Sequence, residues 1–231
     1  CTRLRLIPSK MLISSSDKRR NMLNAGLFGV NDDRIDVDGA AVFERVRRFR
    51  DRFVAGVNAG IDKLDSTRVL RGYARFVGPD ELEVDGFGRV KARAFVLAAG
   101  TVPWVPAPLD MLQQTLLTSD TVFEQETLPR RIAVVGAGII GLELGQAFAS
   151  LGVGVTVLSR GARLGLVTDP VAADHYRKAL HGHVQLIEHA EIIEARESET
   201  GADLRWQTPN GDGSGRFEKV LVATGRRPSL D

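Results

Sequence analysis

The most constraining feature of this sequence is a glycine-rich segment, Gly136-Ala-Gly-Ile-Ile-Gly141, between an apolar run at 132–135 and a helical pattern at 139–151. The run predicts a strand, and glycines at a strand-to-helix turn are typical of a dinucleotide-binding loop. Gly136 is expected to form the tight turn, and Gly138 to let the backbone approach a pyrophosphate. Gly141 is expected to let the helix lie against the strand.

The surroundings of this loop favour a nucleotide site over a purely structural glycine turn. The start of the helix would offer free N–H groups and a positive dipole end to phosphates. A second apolar strand is predicted at 155–158, at the interval expected of such a unit. We therefore predict that the loop binds NAD or NADP.

The choice between these cofactors depends on the residues after the second strand. An NAD-binding loop usually has a carboxylate there for the ribose 2′-hydroxyl, but this chain has Ser159 and Arg160, with Arg163 further on. Guanidinium groups favour a 2′-phosphate, and therefore NADP, slightly. Alternatively, these arginines face solvent and the loop accepts either cofactor.

The first half of the chain changes from a helical to a strand pattern. Pro8 can begin a helix that continues to about Gly26, and a second helix is predicted over 38–57. An apolar stripe is expected along the second helix, formed by Val42, Phe43, Val46, Phe49, Phe53 and Val57. Three strands of a β-meander are then predicted at 69–77, 81–84 and 90–98.

The second half has the alternation of an α/β fold. Residues 102–130 have little periodicity and several prolines, which indicates a domain boundary or crossover. Beyond them, strands and helices alternate, which predicts a parallel sheet covered by helices. Strands are expected at 132–135, 155–158 and 184–187, helices at 139–151 and 170–180, and a closing meander at 190–197, 203–208 and 217–223.

Composition and charge exclude several classes of function. The chain has 231 residues and a net charge of +2, too small to argue for a nucleic acid or a membrane surface. The basic run at 44–52 has helical spacing and is interpreted as the solvent-facing side of the second helix. No window resembles a membrane span or a signal peptide. The single cysteine excludes an internal disulfide framework, and a cytoplasmic setting is the default expectation.

Several separated segments together resemble the pyridine nucleotide–disulfide oxidoreductases, among them bacterial dihydrolipoyl dehydrogenases. The segment at 1–10, Cys-Thr-Arg-Leu-Arg-Leu-Ile-Pro-Ser-Lys, is similar to their CxxxxCxPSK redox segment. The glycine loop with Glu143 and Gly145 resembles their NAD(P) loop. Ala98-Ala-Gly-Thr101 and Val222-Ala-Thr-Gly225-Arg-Arg-Pro228 resemble their two ATG segments.

This resemblance implies an FAD-dependent oxidoreductase in which hydride passes between NAD(P)H and flavin and a disulfide relays electrons to a dithiol or disulfide substrate. The implied fold is α/β, with a Rossmann-like NAD(P)-binding domain at 116–231 inserted in an incomplete FAD-binding domain at 1–115. The substrate is expected to be a small molecule or a lipoyl domain. No metal site, nucleic acid or membrane is implied.

The resemblance also implies roles for particular residues. Lys10 is expected near the flavin, in a buried ion pair with Glu143, and these two with Cys1 form the expected catalytic set. Without the resemblance, Lys10 would be interpreted as a surface lysine and Glu143 as an ordinary helix residue. The expected cofactor-binding residues are Lys10, Ala74, Ala99, Gly100, Gly136, Gly138, Ile140, Gly141, Ser159, Arg160, Ala190 and Gly225.

The sequence departs from the family pattern in its redox segment. Leu6 stands where the family has its flavin-proximal cysteine, and Arg5 where it usually has glycine. Cys1 matches the outer cysteine and is the sole thiol. Because one sulfur cannot form the redox disulfide, the relay to a dithiol is expected to be impaired.

Family members also have an FAD-binding start and a C-terminal interface domain with a His–Glu pair, through which they form homodimers. We expect the chain to lack both and to be truncated. His175, His181, His183 and His189 are expected to face solvent. Two alternatives stay open beside the family function: a degenerate, non-catalytic NAD(P)-binding protein, and a flavin-dependent NAD(P)H oxidase or diaphorase.

Overall fold

Two helices begin the fold in the computed structural model, which describes residues 4, 6–30 and 35–230. Helix α1 spans Ile7–Leu23 and α2 spans Gly39–Ile61. Pro8 lies in the first turn of α1, where its missing N–H has no intrahelical partner to lose. The carboxylate of Asp38 accepts a hydrogen bond from the Ala41 N–H and caps α2. Both predicted helices are confirmed.

The apolar stripe predicted along α2 is buried only in its first part. Phe43 and Val46 are fully buried, whereas Phe49, Phe53 and Val57 are 39%, 50% and 44% exposed. The apolar stripe is therefore packed against the core only over its first part. Arg45, Arg47 and Arg50 hydrogen-bond α1 or the segment 123–125, so these members of the basic run anchor the helix rather than only facing solvent.

A three-stranded antiparallel sheet follows, formed by β1 (Ala74–Gly78), β2 (Glu81–Val84) and β3 (Gly88–Lys91) in that order. The strands predicted at 69–77 and 90–98 are wrong in extent. β1 begins only at Ala74, and 92–100 forms no strand. Alternating apolar residues are not sufficient there, because a strand also needs a neighbouring strand to complete its hydrogen bonds.

A five-stranded parallel sheet forms the centre of the second half and confirms the α/β prediction. Its strands are apolar because both faces of such a sheet are covered. Helix α3 (Ile139–Ser150) connects β6 (Arg131–Val135) to β7 (Gly154–Leu158), and α4 (Pro170–Leu180) connects β7 to β8 (Gln185–Ile187). The strand order is β5 (Leu116–Thr118), β12 (Lys219–Val222), β6, β7, β8.

The closing meander consists of β9 (Glu191–Ser198), β10 (Gly201–Thr208) and β11 (Gly211–Phe217). The predicted third strand at 217–223 is wrong. Residues 219–222 instead join the parallel sheet, where Val222 pairs with Val135. The true third strand is rich in glycine, and Gly213 lies so close to the indole of Trp206 that a Cβ would clash with it.

A short antiparallel ribbon connects two distant parts of the chain. Strand β4 (Thr101–Pro103) pairs with β13 (Arg226–Pro228). This pairing brings the ends of the two ATG-like segments together.

Two hydrophobic clusters lie on either side of the parallel sheet. One contains Leu12 of α1, Phe43 of α2 and Phe148 of α3, so the first two helices pack on the nucleotide-loop helix. The other contains Trp206 and Phe217 of the meander. Over the described ranges, no helix is long and apolar enough to cross a membrane.

Candidate nucleotide site

The glycine loop turns sharply from β6 into α3. Gly136 has φ of +110°, in the region that favours glycine. A Cβ on Gly136 would lie 2.5 Å from the Ala223 carbonyl oxygen, and a Cβ on Gly141 would overlap the Gly136 carbonyl. These two glycines are therefore required by close backbone packing.

Gly138 differs from its two neighbours in the loop. It is exposed and precedes α3, and no heavy atom lies within 4 Å of the position its Cβ would take. The first turn of α3 has no side-chain cap, so its N–H groups point to the same open space. The open space beside these N–H groups suits an anion, and we refer to it as the phosphate cradle. A side chain at position 138 would occupy this space.

A cleft of about 580 Å³ opens above the loop at the carboxyl ends of β6, β7 and β12. This is the point at which the strand order reverses, where open α/β sheets bind ligands. Six of the predicted cofactor-binding residues line this one cleft: Gly136, Gly138, Ser159, Arg160, Ala190 and Gly225. The cleft size and the cradle at Gly138 fit a dinucleotide.

The residues after β7 determine the charge of one end of the cleft. Ser159 is 5% exposed, and its hydroxyl donates to the Gly161 carbonyl at 2.7 Å. Arg160 and Arg163 are exposed and line the cleft, as does Glu191. Among the ion pairs of the described residues, none includes Arg160 or Arg163. This end therefore offers two guanidinium groups that are not engaged in an ion pair with another described residue.

Lys10 and Glu143 lie together beside the same loop. The Lys10 ammonium is 2.7 Å from Glu143 Oε1, which joins α1 to α3. The side chains are 56% and 26% exposed, so the prediction that this pair is buried is wrong. Lys10 is exposed and forms its ion pair with Glu143 at the surface between α1 and α3. Ile140 and Glu143 line a small cavity of about 40 Å³ with Ser9.

The other predicted residues lie outside the cleft. Ala74, Ala99 and Gly100 are exposed. Gly100 has φ of +79° and open space where a Cβ would be. Val96 and Leu97, just before them, are 93% and 64% exposed, which leaves this segment uncovered on one side. Cys1 and Arg5 lie outside the described residues.

Sequence reasoning missed one wall of the cleft. Trp104, Pro106 and Thr224 line it. The Thr224 hydroxyl donates to the Trp104 carbonyl at 2.7 Å. Thr224 belongs to the second ATG-like segment, and Trp104 and Pro106 follow shortly after the first, which was the signal available in the sequence. His175, His181, His183 and His189 are exposed, as predicted.

A parallel sheet with a glycine loop at its switch point defines a dinucleotide-binding α/β protein. A family model described as pyridine nucleotide-disulphide oxidoreductase matches residues 1–231, so the chain belongs to this family of oxidoreductases. This confirms the resemblance found in the sequence. Members of the family use FAD and NAD(P)H.

The relatives include two kinds of enzyme. A mercuric reductase of Lysinibacillus sphaericus is 29% identical over 238 residues, covering 100% of this chain and 42% of that protein. A dihydrolipoyl dehydrogenase of Thermus scotoductus is 28% identical over 239 residues, covering 100% of this chain and 50% of that protein. The chain therefore spans about half the length of these relatives.

The fold is similar to that of a solved structure. The HOCl-induced flavoprotein disulfide reductase RclA from Escherichia coli superposes with a TM-score of 0.77 at 21% sequence identity. The match covers 100% of this chain and 49% of that one. At this identity the likeness supports the architecture described above.

Proposed function

We propose that the chain is the NAD(P)H-binding part of an FAD-dependent oxidoreductase of the dihydrolipoyl dehydrogenase type. The observation that carries this proposal is the contact between Lys10 and Glu143 at 2.7 Å. It joins the helix that begins within the redox-like segment to the helix that begins at the nucleotide loop. Nucleotide and redox segment would therefore lie on two sides of one junction.

We assign residues 1–115 to a partial FAD-binding domain and 116–231 to the NAD(P)-binding domain. In support, the first strand of the parallel sheet begins at Leu116. The exposed segment around Ala99 and Gly100 could contact FAD from one side only. We therefore propose that other parts of the full-length protein complete the FAD site. Bound FAD would supply a hydride acceptor, and Lys10 would present its ammonium to the flavin ring.

The relay to a disulfide is proposed to be impaired. Leu6 is 50% exposed and carries no sulfur, and Cys1 is the single thiol of the chain. A thiol–disulfide exchange needs an attacking and a leaving sulfur. This observation also favours a second candidate function, an NAD(P)H oxidase or diaphorase, which needs no cysteine pair.

We propose NADPH as the preferred nucleotide. The Ser159 hydroxyl donates to the Gly161 carbonyl, and within the described ranges neither nearby arginine forms an ion pair with a carboxylate. A 2′-phosphate would accept charge-assisted hydrogen bonds from them. For the full-length protein we propose a cytoplasmic homodimer whose family substrate would be a small-molecule or lipoyl dithiol or disulfide, with electron relay to that substrate impaired by Leu6.

The purified chain, incubated with FAD, tests these functions. We expect NADPH to bleach the flavin absorbance, oxygen to restore it, and dihydrolipoamide oxidation to be undetectable. Leu6→Cys should introduce dithiol turnover, with Leu6→Ser as the control of similar polarity. A chain that stays colourless but binds NADPH would support the degenerate protein. Robust dihydrolipoamide oxidation by the wild type would contradict the assigned role of Leu6.

A further inference from the structure

A largely buried guanidinium follows the cleft-lining residue Gly225 in the chain. Arg226 follows Gly225, and its side chain is 11% exposed. Its Nη1 donates to Asp120 Oδ1 at 2.8 Å and its Nη2 to Asp120 Oδ2 at 2.9 Å. Asp120, whose side chain is 18% exposed, follows β5. Two parallel bonds of this kind fix direction as well as distance.

The remaining donors of Arg226 bind two further residues. Nε donates to Thr101 Oγ1 at 2.7 Å, Nη1 donates to Ser119 Oγ at 2.8 Å, and Nη2 also contacts the Thr101 carbonyl. One side chain thus connects β13, β4 and the turn after β5. The planar guanidinium suits this role, because its five donors point in fixed directions.

This junction supports one wall of the cleft without forming part of its lining. The Trp104 N–H donates to the Gly225 carbonyl at 3.0 Å, and Thr224 bonds to the Trp104 carbonyl. Gly225 has φ of +122° and no side chain to hold it by packing. The position of this wall therefore depends on the β4–β13 ribbon, which the hydrogen bonds of Arg226 anchor to the turn after β5.

The strand order indicates which part of a nucleotide would meet this wall. Ser159 follows β7 on one side of β6, and Gly225 follows β12 on the other. A dinucleotide crosses the carboxyl ends of the strands with its pyrophosphate at the central loop and its adenosine ribose beside the residue after β7. Its nicotinamide half would then lie at Gly225.

We propose that Arg226, held by Asp120, is a positioning residue that shapes the wall for the nicotinamide half of the nucleotide. The proposal rests on the proposed function, since it requires a dinucleotide in this cleft. It predicts that weakening the junction affects binding of a whole dinucleotide but not binding of its adenosine half.

Calorimetric titration of the 231-residue chain and its Arg226→Lys and Asp120→Asn variants tests this. NADPH and NADH serve as the dinucleotides, and 2′,5′-ADP and 5′-AMP as their adenosine fragments. We expect the Kd of the preferred dinucleotide to rise about tenfold and that of its fragment to change less than about twofold. Arg216→Lys, which alters a bidentate pair with Asp203 in the meander, is the matched control.

The outcomes separate this proposal from the function on which it rests. If the variants bind dinucleotide and fragment equally more weakly and also have a lower Tm, Arg226 has only a structural role and the proposal is overturned. An unchanged Kd in both variants would overturn it as well. A wild-type chain that binds neither dinucleotide would instead overturn the proposed function, and the positioning role with it.

Discussion

The ammonium of Lys10 lies 2.7 Å from the carboxylate of Glu143, although 133 positions separate the two residues in the chain. The pair joins α1, which begins within the redox-like segment, to the first turns of α3. Because both side chains are partly exposed, their attraction is screened by water, and exposed pairs contribute about 0–1 kcal/mol to stability. The ion pair would therefore matter for the position of Lys10 more than for the stability of the fold.

Glu143→Gln separates these two contributions. The free energy of unfolding should fall by less than about 1 kcal/mol in urea denaturation. The rate at which NADPH reduces FAD bound to the chain should fall about tenfold, since Lys10 loses its anchor. Asp174→Asn, which removes the exposed pair with Lys178 on α4, is the control that should leave the rate unchanged. A rate equal to that of the wild type would refute the role of the pair.

The glycine loop allows a sharper separation of folding from binding. Gly138→Ala should keep the wild-type Tm, because a Cβ there meets no atom within 4 Å, but NADPH affinity should fall at least about tenfold. Gly141→Ala should lower the Tm, because its Cβ would overlap the Gly136 carbonyl. Gly60→Ala on α2, also with open space, controls for the added methyl group. Unimpaired nucleotide binding by Gly138→Ala would be incompatible with the proposed phosphate cradle.

Arg160 and Arg163 are expected to determine the preference for NADPH. Replacing both by alanine should raise the Kd of NADPH at least about tenfold and leave that of NADH within about twofold. The effect should diminish with added salt, because exposed charges are screened. Arg93→Ala, an exposed arginine outside the cleft lining, is the control. A wild-type preference for NADH would show that the arginines only face solvent.

The carboxylate of Glu197 should make stability depend on acid pH. The hydrogen bond from the Thr115 N–H lowers the pKa of Glu197, and bonds from the Thr115 hydroxyl and the Gln113 N–H act in the same direction. A carboxyl whose pKa is lower in the folded state stabilises the fold above its unfolded pKa. That contribution is lost as the pH falls through the folded pKa.

Urea denaturation at a series of pH values measures this effect. The difference in unfolding free energy between the wild type and Glu197→Gln should be constant near neutral pH and shrink under acid conditions. Glu199→Gln, an exposed neighbour on the same segment, is the control. A difference that does not vary with pH would exclude an effect of Glu197 ionisation.

The predictions that held depend on local patterns. The strand, loop and helix around Gly136 were predictable because their hydrophobic periods and turn glycines lie within one short stretch. Pro8, in the first turn of α1, marked the start of that helix for the same reason. The contact between Lys10 and Glu143 was expected only from the family resemblance.

The predictions that failed depend on distant partners. Residues 92–98 alternate like a strand but have no strand beside them, and β11 pairs despite its glycines. Likewise, no local pattern shows that Arg226 meets Asp120, 106 positions earlier. Hydrogen-bond ladders and long-range ion pairs are properties of the tertiary fold, which single-segment patterns do not contain.

The most direct test of the central claim is an anaerobic titration of the FAD-reconstituted chain with NADPH, followed at the flavin absorbance band. The account predicts stoichiometric bleaching in the wild type, whereas Gly138→Ala should need at least about tenfold more NADPH for the same bleaching. Bleaching that is equal in both proteins would contradict the claim that the cleft above Gly136 and Gly138 delivers the hydride.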